Sequence, residues 1–356
     1  MNLMNNMAIS GIKYVKVISP GKATGKLKQI YDQINHDFAV APPFTLHSAL
    51  PDLVAAVWSA ERETMFHGIV PRGRKEAIVA AVAIINQCPY CIDAHTLMMQ
   101  ATNEGDAAKI LSGQSGNIAD LELQQLVNWA KATRTPGASI ITNPPFTAEE
   151  APEIIGAALA FHYINRMANI FLDDHMMPEM GFLSGAMRNI MANTMIKSLI
   201  QRKIRAGESL QFLPEANLPD EFGWAAQNDV LVRTFAGITA TINTHAENLF
   251  SEKALATVEA CIRQWNGDDI GMSRAWINGL VADLHEQDAA AARLMLLAGL
   301  ASYQVTETEI NHFRQYYPDD AHIIAATAWG AWSAVRRISA WLYAETQEMS
   351  SSLNHI

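Results

Sequence analysis

The chain is expected to fold as an all-α protein, and three features of its 356 residues carry that expectation. Apolar residues recur at helical spacing almost throughout. Alternating β-branched runs flanked by hairpin turns are scarce. Prolines crowd into the first half, and beyond residue 219 there is only Pro318, so the last third can hold long uninterrupted helices. At roughly 100–200 residues per domain, the length predicts two domains.

Each element has its own signal. Pro51-Asp52 is a good helix start, and Leu53, Val54, Val57 and Trp58 follow it at i, i+1, i+4, i+5. Ile78, Val79, Ala81, Val82 and Ile85 line a second helix expected to begin near Arg74. Cys88-Pro89 reads as N-cap and first position of a third. Asp120 is placed to cap a helix with Leu123, Leu126, Val127 and Ala130 on one face. Thr147 to Glu150 resembles a capping box that opens a helix through Ile154, Ile155, Leu159, Tyr163 and Met167. Residues 173–182, with Pro178 and Gly181, read as the domain boundary, and 206–221 as a loop-like stretch inside the second domain. The expected division is a short extension (1–19), a first helical domain (20–177), a second (178–349) and a tail (350–356). A faint repeat supports two related units: PDLVAAVW at 51–58 matches NDVLVRTF at 228–235, and IINQ at 84–87 falls on CIRQ at 261–264.

Composition narrows the function. Hydrophobic residues make up 49% and charged ones 17%, against about 25% charged in an average soluble domain. Such a chain buries a sizeable core and is not a disordered one. The net charge of −10 argues against nucleic acid as the main partner. The N-terminal stretch lacks an apolar core of signal-peptide length. The longest apolar run found, Ala77 to Ile85, spans nine residues, where a membrane helix needs about 20. A soluble, cytoplasmic protein without a membrane partner is expected. No phosphate-binding glycine loop occurs.

The cysteines are Cys88, Cys91 and Cys261, too few for a disulfide framework. Two of them sit in one constellation: Glu76, eleven residues, Cys88-Pro89-Tyr90-Cys91, three residues, His95. Cys91 falls in the first turn of its helix, where free N–H groups and the positive dipole end favour a thiolate. His95, four residues on, shares its face and is placed to take or relay the thiol proton. Glu76 is expected to orient the imidazole and act as terminal proton acceptor. Two cysteines at this spacing can close a disulfide that resolves a sulfenic acid. The competing reading is half a zinc site, but no second CxxC or paired histidines supply further ligands.

E-x11-C-x-x-C-x-x-x-H on two consecutive helices resembles the AhpD-like alkylhydroperoxidases of the carboxymuconolactone decarboxylase superfamily. Leu27 to Trp58 and the segment Phe161 to Met167 are similar to its peroxidase-related branch, so the resemblance covers about residues 20–175. It implies an AhpD-like unit of helices followed by a degenerate second copy, a homo-oligomer (dimer or trimer), and reduction of hydroperoxides. It implies no bound cofactor or metal, and an external thiol donor protein of lipoyl or thioredoxin type. Carried over by position, Cys91 is the peroxidatic sulfur, Cys88 its disulfide partner and proton donor, and His95 with Glu76 the relay. The characterised family site has a second histidine between the cysteines; here that position is Tyr90. The decarboxylase branch lacks the cysteine pair. The alternatives carried forward are a dithiol–disulfide oxidoreductase and a redox-sensing helical oligomer.

The second half cannot repeat this chemistry. At an offset of 177, Cys88, Cys91, His95 and Glu76 fall on Trp265, Asp268, Met272 and Lys253. Cys261 reads as packing. His67, in a loop before Pro71, is a candidate for the pocket border. His162 and Arg166 share a helical face and are placed near the site or in a structural contact. Asp173-Asp174-His175 reads as a solvated helix end rather than a metal cluster, the methionines at 176–195 as an interface, and Trp329, Trp332 and Trp341 as core.

Overall fold

A computed structural model describes residues 8–102, 119–174, 194 and 196–353, with side chains to Glu345. The described residues form helices joined by turns. Their β-type pairing is one isolated antiparallel bridge, Ile12 to Leu172. The all-α expectation holds.

Helix α1 (Gly25–Asp37) buries Leu27, Ile30, Tyr31 and Ile34, a stripe at i, i+3, i+4, i+7. Helix α2 (Pro51–Met65) starts on Pro51 as expected, and from Leu53 onward every side chain is buried. Helix α3 (Arg72–Ile85) begins two residues earlier than the periodicity suggests, because Pro71 is its N-cap. Helix α4 (Pro89–Ala101) has Cys88 as N-cap. Helix α5 (Leu121–Ala132) is capped by Asp120, whose carboxylate accepts from the backbone of Glu122 and Leu123 at 3.0 and 3.1 Å.

The Thr147–Glu150 box forms, with Thr147 N donating to Glu150 Oε2 at 2.9 Å and Glu150 N to Thr147 Oγ1 at 3.3 Å. It closes a turn, however, and helix α6 (Ala151–Phe171) starts only after it. Pro152 then sits near the first helical position, where its missing N–H costs nothing. Helix α6 is buried nearly all round, since α2, α3 and α11 pack against it.

The second half contains α7 (Asp229–Leu249), α8 (Glu252–Gln264), α9 (Glu286–Leu300), α10 (Glu307–Arg314) and α11 (Asp320–Leu353). Asn228 and Ser251 cap α7 and α8 through side-chain acceptors. The stretch 206–221 is not all loop: Glu208–Phe212 is a 3-10 helix, and another begins at Asp220. Of the expected boundary at 173–182 all but Asp173 and Asp174 lies outside the described residues, as do His175 and nearly all of the methionine-rich stretch.

Packing pairs the halves closely. Helix α2 lies along α7 and α6 along α11. Within the halves, α3 packs on α5 as α8 packs on α9, and α2 on α6 as α7 on α11. Helices α9 and α11 approach until backbones touch: a Cβ on Gly330 would stand 2.1 Å from the Met295 carbonyl oxygen. Trp332 centres the shared core, stacked on Phe222 and Phe235 and edge-on to Tyr163. Trp329 and Trp341 are buried as expected.

Candidate active site

The site is built at the turn between α3 and α4. Gln87 closes that turn with φ at +52°, a left-handed conformation rare for a residue with a Cβ. The Cys88 N–H then bonds back to the Ala83 carbonyl at 3.0 Å. Pro89 follows at a position that needs no N–H, and its ring fixes the entry into α4. The two thiols are therefore held at a helix start; Cys88 is 0% and Cys91 2% exposed. Both are free cysteines. Burial raises the Cys88 thiol well above its usual range, and the neighbouring Cys91 sulfur raises it further.

Helices α3 and α4 join two side chains that are distant in the sequence. His95 Nδ1 donates to Glu76 Oε2 at 2.7 Å. That bond fixes the tautomer, leaving Nε2 on the side away from Glu76. The Phe161 ring meets the imidazole edge-on, with centroids 4.6 Å apart, and so limits its rotation. Glu76 is completely buried. Burial alone would raise its carboxyl, but the Arg72 charge, the His95 charge and their hydrogen bonds outweigh it and hold the group below its usual range. Arg72 Nε donates to Glu76 Oε1 at 2.5 Å, and its guanidinium lies 4.4 Å over the Phe66 ring.

The remaining candidates fall into separate places. Tyr90 is buried beside the dithiol. Burial pushes its phenol far up, and Cys91, Cys88, Glu61 and Asp93 add to the effect, so it stays neutral and offers a hydroxyl that can donate a hydrogen bond, not a base. His67 bonds to Glu63 at 2.7 Å, and its carbonyl accepts from Lys75 Nζ at 2.6 Å. This places it in a buried ion-pair lattice, where Lys75 meets Glu153 at 2.6 Å and Glu153 caps the backbone of Ile69 and Val70. Gly68 in that loop has φ +112°, and any Cβ there would strike the Glu153 carboxylate. His162 and Arg166 stand behind the turn rather than among the thiols. Asn86 Nδ2 donates to His162 Nδ1 at 3.0 Å, and His162 Nε2 bonds to Thr133 Oγ1 at 2.9 Å. Burial lowers the imidazole well below its usual range, helped by Arg166 and Arg134. Arg166 donates to the Gly299 carbonyl at 2.7 Å. The pair buttresses the segment leading into Cys88.

One residue bound to the constellation was missed, Arg72, although it had a readable signal, its i, i+4 spacing to Glu76. Among the described residues no group of three or more His, Cys, Asp or Glu is placed to hold a metal ion. No helix among them is long and apolar enough to cross a membrane. A surface groove of about 680 Å³, lined by Gln87, Lys131, Arg134 and Asp268 among others, lies beside the turn and contains neither thiol.

In the second half the corresponding positions are inert. Trp265 donates through its indole to the Asp268 carbonyl at 2.8 Å, Met272 is 89% exposed, and Lys253 donates to the Asp283 carbonyl at 2.9 Å. Cys261 is half-buried against the core on α8.

A helical CxxCxxxH site with a carboxylate joined to its histidine defines a class, and comparison with known proteins agrees with it. The carboxymuconolactone decarboxylase family matches residues 51–110, which hold α2 to α4 and the whole constellation. The chain is 33% identical to an alkyl hydroperoxide reductase of Mycobacterium tuberculosis (strain ATCC 25618 / H37Rv) over 345 residues, 96% of this chain and 98% of that protein. The chain therefore belongs to the carboxymuconolactone decarboxylase family, among its AhpD-like alkylhydroperoxidases. No solved structure matches it.

Proposed function

We propose that the chain is a thiol-dependent hydroperoxide reductase working through Cys91, Cys88, His95 and Glu76. The observation that carries this reading is the 2.7 Å bond between His95 and Glu76, with His95 one turn along α4 from the helix-start Cys91. The Cys91 thiolate attacks the terminal oxygen of the hydroperoxide. The O–O bond breaks, sulfur takes the hydroxyl as a sulfenic acid, and the leaving alkoxide takes a proton delivered through His95. The Cys88 thiol, kept protonated until then, attacks the sulfenic sulfur; water leaves and the disulfide forms. An external dithiol donor of lipoyl or thioredoxin type returns the pair to thiols by exchange. The name of the mycobacterial relative supports hydroperoxide as the substrate class.

The second half serves, on this reading, as a duplicated unit without chemistry, whose helices cover the faces that the first half leaves apolar. The pairing of α2 with α7 and of α6 with α11 supports it. A cytoplasmic homo-oligomer, dimer or trimer, completes the proposal.

The test is mass spectrometry of the peptide holding Cys88 and Cys91 after one equivalent of an alkyl hydroperoxide. The expected product is the intrachain disulfide, two hydrogens lighter, and Cys91→Ser is expected to abolish peroxide consumption. Unreacted thiols, or full turnover by Cys91→Ser, would overturn the reading. Exchange with a disulfide substrate but none with peroxide would replace it by a dithiol–disulfide oxidoreductase.

A further inference from the structure

Two guanidiniums meet where the halves join, and one of them has no acid beside it. Arg166 of α6 is 4% exposed. Its Nε donates to the Gly299 carbonyl and its Nη1 to the His162 carbonyl, both at 2.7 Å. Its described partners are thus carbonyls and the His162 ring, with no carboxylate among them. A buried cation without an anionic partner is costly. Arg134, just after α5, lies close by: the Arg134 and Arg166 guanidiniums stand over the same Trp265 ring, 5.6 and 6.0 Å from its centroid. Both line one recess of about 20 Å³ together with Asn86, Gln87, Ser302 and Tyr303, which is room for one oxygen-sized group. Gln87 and Arg134 also line the groove of about 680 Å³ beside the turn, so the recess adjoins that larger space. The groove adds Lys131, and its two acids, Asp268 and Asp269, are exposed. Asp269 holds Arg134 at 2.7 Å. Asn165, whose Oδ1 accepts from Asn86 at 3.1 Å, keeps a buried Nδ2 with no partner. This part of the molecule is rich in donors and short of buried acceptors.

We propose that recess and groove together form a binding site for a small organic anion, with one carboxylate or phosphate oxygen in the recess beside Arg166 and Arg134 and the rest of the molecule in the groove. Guanidinium forks suit both headgroups. The anion replaces the Asp269 carboxylate on Arg134 and gives Arg166 the counter-charge it lacks. Burial and the Arg134 charge lower Arg166 to about 9, which still leaves it a cation at neutral pH. Both halves build the site: Arg134 and Arg166 come from the first, Trp265, Asp269 and Tyr303 from the second. The second half thereby gains a part in ligand binding that needs no thiol. The inference stands apart from the dithiol reaction.

The experiment is titration calorimetry of the full chain with glycerol 3-phosphate and with succinate, at constant ionic strength. Saturable binding of at least one probe is expected, and the tighter of the two identifies the headgroup. Asp269→Asn removes an exposed competing carboxylate and is expected to tighten that binding roughly 1.5- to 5-fold, the worth of an exposed ion pair. Arg166→Met is expected to weaken it by roughly tenfold or more, the loss of a hydrogen bond to a charged group. Saturable binding of neither probe, to wild type or to Asp269→Asn, overturns the proposal. So does unchanged affinity in an Arg166→Met protein that still melts cooperatively. Should Arg166→Met fail to fold, Asp269→Asn decides: equal or weaker binding there overturns the site, and tighter binding sustains it. Binding is read without peroxide, so either result leaves the peroxidase reading to its own test.

Discussion

In the proposed function, the side chain that most directly converts fold into chemistry is Glu76. It is buried, yet Arg72 and His95 keep it a carboxylate, so the histidine has a fixed acceptor behind it. Glu76→Gln removes the charge but not the shape. Peroxide turnover is expected to fall by about 10²-fold, at the lower end of what a positioned acid–base group contributes. Stability has its own sign. The folded state holds the Glu76 carboxyl below its ordinary 4.5, so its contribution is present above pH 4.5 and is lost as pH falls through the lower folded value. Thermal melts from pH 7 to 3 are therefore expected to show wild type losing its advantage over the variant below about pH 4.5, with the gap constant at higher pH. A gap that stays unchanged down to pH 3 would show that Glu76 is not held as described.

Among the elements, the crossing of α9 and α11 is the tightest. Gly299 and Gly330 let the two backbones meet, and a Cβ on Gly330 would lie inside contact distance of the Met295 carbonyl. The carbonyl belongs to a helix and cannot swing aside as a side-chain tip would. Gly330→Ala is expected to cost about 1–3 kcal/mol, the usual range for overpacking a core, read as a lower urea midpoint with unchanged slope. The turn between α3 and α4 shows the opposite economy. Gln87 holds a strained conformation, and the return is that Cys88 caps α4 with both thiols at its start.

For the molecule as a whole, the two halves share one core. Helix α6 sets Phe161 against His95 on one side and leans on α11 with the other, while α2 leans on α7. Tyr163 of α6 meets Trp332 of α11, and Trp341 donates to the Thr133 carbonyl at 2.9 Å. A chain ending at residue 177 would expose those faces to water. Such a fragment is expected either to lose its cooperative melt or to associate with a second copy in place of the missing helices. Size-exclusion chromatography and calorimetry distinguish these; a stable monomeric fragment would show that the second half is dispensable for folding.

Much of this was legible in the order of residues. Helices, their starts at Pro51, Cys88 and Asp120, and the grouping of Cys88, Cys91 and His95 follow from periodicity and short-range geometry, where the chain itself sets which groups are three or four residues apart; Glu76 joined them through the spacing of the motif. The boundary at Glu150 was misplaced because a capping box can close a turn as well as open a helix. The removal of His162 and Arg166 to a buttress behind the turn, and the burial around the Arg72–Glu76 pair, were not legible. Those depend on which helix faces come together and on how much water is excluded between them. Charge and proton affinity respond to that surrounding space, which sequence spacing does not describe.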